Sequence, residues 1–147
     1  MSSLFWGFAC AAGEPPGPAA DPVRVKVSVR PEAVAPGGRF VATFELLPAA
    51  GIKVTRYPKV SIEVPAQEGV AAPASKAIGS DRPPDENALD SNYFEKLEPI
   101  PLDIEVDRSA PRGRRELAAR LRYAYCVAAS GTCVPVRKEV RFPITVR

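Results

Sequence analysis

The sequence predicts an all-β fold, an antiparallel sandwich of about seven or more strands, and three observations predict it. Apolar and polar residues alternate strictly in several runs, as in Val23, Val25, Val27 and Val29 with Arg24, Lys26 and Ser28 between them, the signature of a half-buried strand. Seventeen prolines are scattered through the 147 residues, and each would cost about 3 kcal/mol in a helix interior. That length, with 46% hydrophobic and 25% charged residues, suits one soluble domain with its own core.

The elements follow in order. After the Val23 to Val29 run, Pro36-Gly37-Gly38 supplies a turn, and Phe40, Ala42, Phe44 and Leu46 form the apolar side of a second strand that ends at Pro48 to Gly51. Ile52 to Val54 and Lys59 to Val64 read as short strands interrupted at Tyr57-Pro58, because proline cannot donate to a central ladder. From Pro65 to about Pro99 the chain is polar and proline-broken, with weak strand potential around Val70 to Ile78; a connection this long in a compact domain is usually functional or disordered. Ile100, Leu102, Ile104 and Val106 resume the alternation, and two long strands close the chain, Arg115 to Cys126 and Cys133 to Val146. Strands of this number and spacing make the expected sandwich immunoglobulin-like.

The N-terminus sets the expected compartment. MSSLFWGFACAA is a short apolar run ending in small residues, and a Pro/Gly/Ala stretch follows it, so residues 1–22 read as an export-signal remnant and flexible linker ahead of a domain at 23–147. Ala9-Cys10-Ala11 fits a signal-peptidase site, and Gly7-Phe8-Ala9-Cys10 resembles a lipobox that would make Cys10 a membrane anchor. The expected location is therefore periplasmic or otherwise exported, where a disulfide is stable.

Composition removes several chemistries. The chain has no histidine and three cysteines, which excludes a Ser-His-Asp triad, a Cys-His nucleophile, mixed Cys/His zinc sites and a four-thiolate site within one chain. No cofactor is expected. The net charge of +3 is too small to suggest a nucleic-acid partner, but it is uneven: residues 108–147 carry ten Lys/Arg against two acids, and residues 21–107 ten against fourteen.

Cys126 and Cys133 bracket VAASGT, with Ser130-Gly131 as the turn signal. By parity Leu117, Ala119, Leu121, Tyr123 and Tyr125 share one face of the first strand, while Arg120, Arg122 and Cys126 share the other. In the second strand Cys133, Arg137, Glu139 and Arg141 lie opposite the valines. Both cysteines thus fall on the polar face, unlike the inter-sheet bridge of antibody domains. If Cys126 faces Cys133, Arg120 meets Glu139 and Arg122 meets Arg137, and the arginine pair would favour thiolate and attract an acidic partner. Three readings remain open: an exchange-competent pair, a staple worth roughly 2 to 3 kcal/mol in the loop-entropy model, and two-thiolate delivery of a soft metal.

The segment LRYAYCVAASGTCVPV at 121–136, with PIPLDIEV at 99–106 and VRFPITV at 140–146, resembles the N-terminal periplasmic domain of the DsbD thiol-disulfide interchange family. The resemblance implies an immunoglobulin-like redox module that takes electrons from a thioredoxin-like domain or membrane electron transporter and passes them to oxidised periplasmic proteins. It assigns Cys133 as the cysteine that forms mixed disulfides and Cys126 as its resolving companion. It also implies a cap loop over the pair at Asp90, Tyr93 and Phe94. Arg122, Arg137, Tyr123 and Tyr125 join the site as residues that tune the thiols or bind partners. The chain departs from the family pattern in having six residues between the cysteines rather than five, followed by Val134 and a single proline, Pro135.

Overall fold

A computed structural model describes residues 21–147; the expected export signal and the Cys10 anchor lie outside the described residues. The described residues form nine strands in two sheets. The first sheet has the order β1 (Val23–Arg30), β3 (Arg39–Pro48), β7 (Ile100–Glu105). The second runs β2 (Ala33–Val34), β9 (Cys133–Val146), β8 (Gly113–Val127), β5 (Val60–Val64), β6 (Ala74–Ile78), and β4 (Ile52–Val54) also pairs with β8. All pairings are antiparallel except the two-residue β2–β9 contact. This is the expected all-β, immunoglobulin-like sandwich.

Alternation explains the packing. Phe40, Ala42, Phe44 and Leu46 are buried on one face of β3, and Leu117, Ala119, Leu121 and Tyr123 on one face of β8. The sheets meet where Phe142 of β9 stands edge-on to Phe40 and Phe44, with ring centroids 6.5 and 5.9 Å apart, the arrangement the ring quadrupoles favour. Tyr57-Pro58, joined by a cis peptide bond, separates β4 from β5. Both short strands lie along β8, β4 against Tyr125 to Val127 and β5 against Arg120 to Arg122.

Strand β2 escaped the sequence, being too short to carry a period, while β6 falls within the Val70 to Ile78 stretch of weak strand potential and is an edge strand with mostly exposed side chains and no apolar alternation. The polar stretch at 65–99 is tied down repeatedly: Gly79 sits against the Arg56 carbonyl, and Ser80 N–H donates to that oxygen at 2.8 Å. A Cβ at Gly79 would lie 2.2 Å from that oxygen, at a φ of +128°, so only glycine fits.

Asp21, placed in the linker by the sequence, is already anchored. Lys138 occupies an inward position of β9 between Val136 and Val140, and its Nζ donates to Asp21 Oδ2 at 2.7 Å and to the Val23 carbonyl at 3.1 Å. The Tyr123 hydroxyl donates to the same carboxylate, and Val23 N–H to Asp21 Oδ1. Burial pushes the Asp21 pKa up, but the bonds from Lys138, Tyr123 and Val23 outweigh it and hold the carboxyl below its ordinary value. Burial, followed by the neighbouring Asp21 carboxylate, drives the Tyr123 pKa upward. Lys138 is therefore satisfied in place.

Candidate functional site

The site grows from the β8–β9 hairpin. Its ladder runs without a bulge from Gly113 opposite Val146 to Cys126 opposite Cys133, placing Arg120 opposite Glu139 and Arg122 opposite Arg137. The cysteines form a cross-strand disulfide with Cα atoms 4.0 Å apart. Beyond it, Val127 N–H donates to Thr132 O and Gly131 N–H to Val127 O, closing the turn.

The two sulfurs stand in different surroundings. Cys133 is exposed, as parity predicts, but Cys126 is only 2% exposed. Parity fixes which face a side chain leaves from and says nothing about what flanks it. Here β4 flanks it: Lys53 lies directly opposite Cys126 on the side away from Cys133. Next along the same face, Thr55 is buried beside Ala124, its amide and hydroxyl both donating to the Ala124 carbonyl.

The Tyr93 segment adds one more strand-like layer. Thr55 bridges Tyr93, Phe94 N–H donates to the Val54 carbonyl at 3.0 Å, and Arg56 N–H donates to Asn92 O. Paired residues share a face and neighbours alternate, so Tyr93, Thr55, Lys53, Cys126 and Cys133 all rise from one face. Lys53 Nζ sits 5.1 Å from the Tyr93 ring centroid, within cation–π range. Phe94 points the other way and packs on the core. The two adjacent aromatics of the expected cap therefore have different surroundings: Tyr93 shares the face of the cysteines, and Phe94 anchors the segment. Asp90, on the short 3₁₀ turn Leu89–Asn92, lines a groove with Lys53, Tyr93 and Phe94.

The remaining expected residues lie farther off. Arg122 and Arg137 face each other and are exposed, but Arg122 lies four positions along the strand from Cys126. That is about 13 Å along the strand, beyond the roughly 8 to 10 Å over which exposed charges act at physiological salt. The nearer cation is Lys53. Tyr123, expected as a tuning or partner-binding residue, is 2% exposed on the inner face with its hydroxyl committed to Asp21, which removes it from any partner surface. Tyr125, also inward, is half-buried against the core.

Lys53 is the residue that sequence reasoning missed. It carries an exposed charge on a three-residue strand, and only the β4–β8 register makes it a neighbour of a cysteine. Among the described residues, no group of three or more His, Cys, Asp or Glu side chains is arranged to hold a metal. No family model matches the chain, and no curated protein matches it.

Proposed function

We propose that this domain is a thiol-disulfide exchange module of an exported compartment, passing reducing equivalents between a thioredoxin-like donor or membrane electron transporter and oxidised exported proteins. The observation that carries the reading is the asymmetry of the pair, with Cys133 open and Cys126 buried. A partner thiolate has the exposed Cys133 to attack, while Cys126 is held back to act as leaving group in one direction and resolving thiol in the other. In the reducing direction, the Cys133 thiolate attacks a partner disulfide, a mixed disulfide forms at Cys133, and Cys126 displaces the partner thiol. Two electrons leave the chain as its dithiol becomes a disulfide. The chain lacks histidine, and the exchange needs no general base once a thiolate is present.

Equilibration with glutathione, read by alkylation, tests this. The expected potential lies in the range of exchanging pairs, and a value well below about −300 mV would leave the bond a resistant staple. In a Cys126→Ser variant, Cys133 should trap a covalent adduct with an oxidised partner.

A second reading draws on the position of the bond at the turn end of the longest hairpin. There the domain is a non-catalytic binding or accessory module, and the disulfide only staples the hairpin. It predicts that replacing both cysteines by serine lowers stability and leaves partner binding intact.

A further inference from the structure

Burial of Cys126 creates a chemical problem for exchange. When a partner thiolate attacks Cys133 Sγ, the Cys133–Cys126 bond breaks and its electron pair goes to Cys126 Sγ. A thiolate withdrawn from water is a poor leaving group unless a positive charge faces it. One cationic side chain stands opposite Cys126 on a strand paired with β8: Lys53, whose Cα is the ladder partner of the Cys126 Cα. Directly opposed Cβ atoms in an antiparallel pair lie about 4.5–5.5 Å apart, and a lysine stem can cover apolar surface while keeping its ammonium in water. The Lys53 ammonium is held on this face by the Tyr93 ring.

We propose that Lys53 is the electrostatic partner of Cys126, stabilising the thiolate that this sulfur becomes when the disulfide opens. The inference rests on the exchange reading and deepens it. Stoichiometry closes with a dithiol partner: its first thiolate forms the mixed disulfide with Cys133, and its second displaces Cys133. The partner leaves as a disulfide and the chain as a dithiol, with two electrons and two protons transferred. The other charged groups around this end of the sheet are Arg56, Asp90, Glu95 and Lys96, which line grooves beside Tyr93, and Arg122 and Arg137, two rows down the hairpin. The two carboxylates oppose a thiolate and the more distant cations are screened, which leaves Lys53 as the dominant local charge. A unit charge about 6 Å away, at an effective dielectric of roughly 40, is worth about a factor of ten in thiolate population.

The test titrates Cys126 as a single thiol in the Cys133→Ser background, following the ultraviolet absorbance of the thiolate against pH. Near-UV circular dichroism confirms that each variant keeps its fold. Lys53→Met should lower the thiolate fraction at neutral pH about tenfold and move the titration to higher pH. Lys53→Arg should restore it, and Lys26→Met on the exposed side of β1 should leave it unchanged. A Lys53→Met titration within twofold of the parent would overturn the inference, as would an equal loss from Lys26→Met. Reduction of the cysteine-intact chain by dithiothreitol is read separately: failure of the parent to be reduced refutes the exchange reading, while the single-thiol titration still decides the role of Lys53.

Discussion

Reduction of Cys126–Cys133 should lower the stability of the domain by a modest, calculable amount and leave it folded. The bridge joins residues seven apart in sequence, closing a ring of about eight residues, whose loop entropy corresponds to about 2.5 kcal/mol at 25 °C. The hairpin does not depend on the bond for its register: pairing continues from the cysteines to Gly113 opposite Val146, and the buried core cluster excludes Cys126. By a thermodynamic cycle, the same free energy must appear as a lower reduction potential in the folded chain than in the unfolded one, about 55 mV for a two-electron couple. The assay is urea unfolding of the oxidised and reduced forms, paired with glutathione equilibration of the native and urea-unfolded chain. A stability gap near 2.5 kcal/mol with a matching shift in potential supports the argument. A gap above roughly 5 kcal/mol, about 100 mV, or a reduced chain that unfolds, would refute it and return the bond to the role of a staple.

Asp21→Ala should cost about 2–3 kcal/mol, since it leaves the inward Lys138 ammonium and the Tyr123 hydroxyl without their shared acceptor; thermal unfolding should fall by roughly 5–10 °C, and Lys138→Met in the same chain should recover part of the loss. Because Asp21 is held below its ordinary pKa, its contribution is complete above the unfolded value and disappears as pH falls through the lower folded value. Urea midpoints measured on the acid side should therefore drop less for Asp21→Ala than for the parent. Tyr93→Ala should change stability by under about 1 kcal/mol yet speed reduction by dithiothreitol severalfold, whereas Phe94→Ala, which strips a core contact, should cost about 2 kcal/mol; equal effects of the two would contradict their placement on opposite faces. Phe142→Ala removes the ring that meets both Phe40 and Phe44 and should cost about 3–5 kcal/mol in urea unfolding.

What could be read from the chain was whatever period two encodes. The alternation of Val23 to Val29, of Phe40 to Leu46 and of Ile100 to Val106 placed β1, β3 and β7 and their buried faces, because a strand with one buried face has to alternate. The hairpin register, down to Arg122 opposite Arg137, was also legible, since a turn of fixed length with matched parity on both sides leaves little freedom. Strands without such a period were faint or lost: β2 has two residues and left no signal, and β6, legible only as weak strand potential, lies at an edge where burial imposes no pattern.

Lys138 could have been suspected, a charge at an inward position of an alternating strand, but its acceptor lies more than a hundred residues away at Asp21. The cysteine pair shows the division most clearly. Parity alone determined that both side chains leave the same face of the hairpin. Only the lateral packing of strands decided that Cys126 would be buried, that Lys53 and not the arginine pair would face it, and that Tyr93 and Phe94 would part to opposite sides. The reason is physical: alternation along a strand is a local property of the backbone, whereas the neighbour across a ladder is chosen by chain segments remote in sequence, and local periodicity carries no record of that choice.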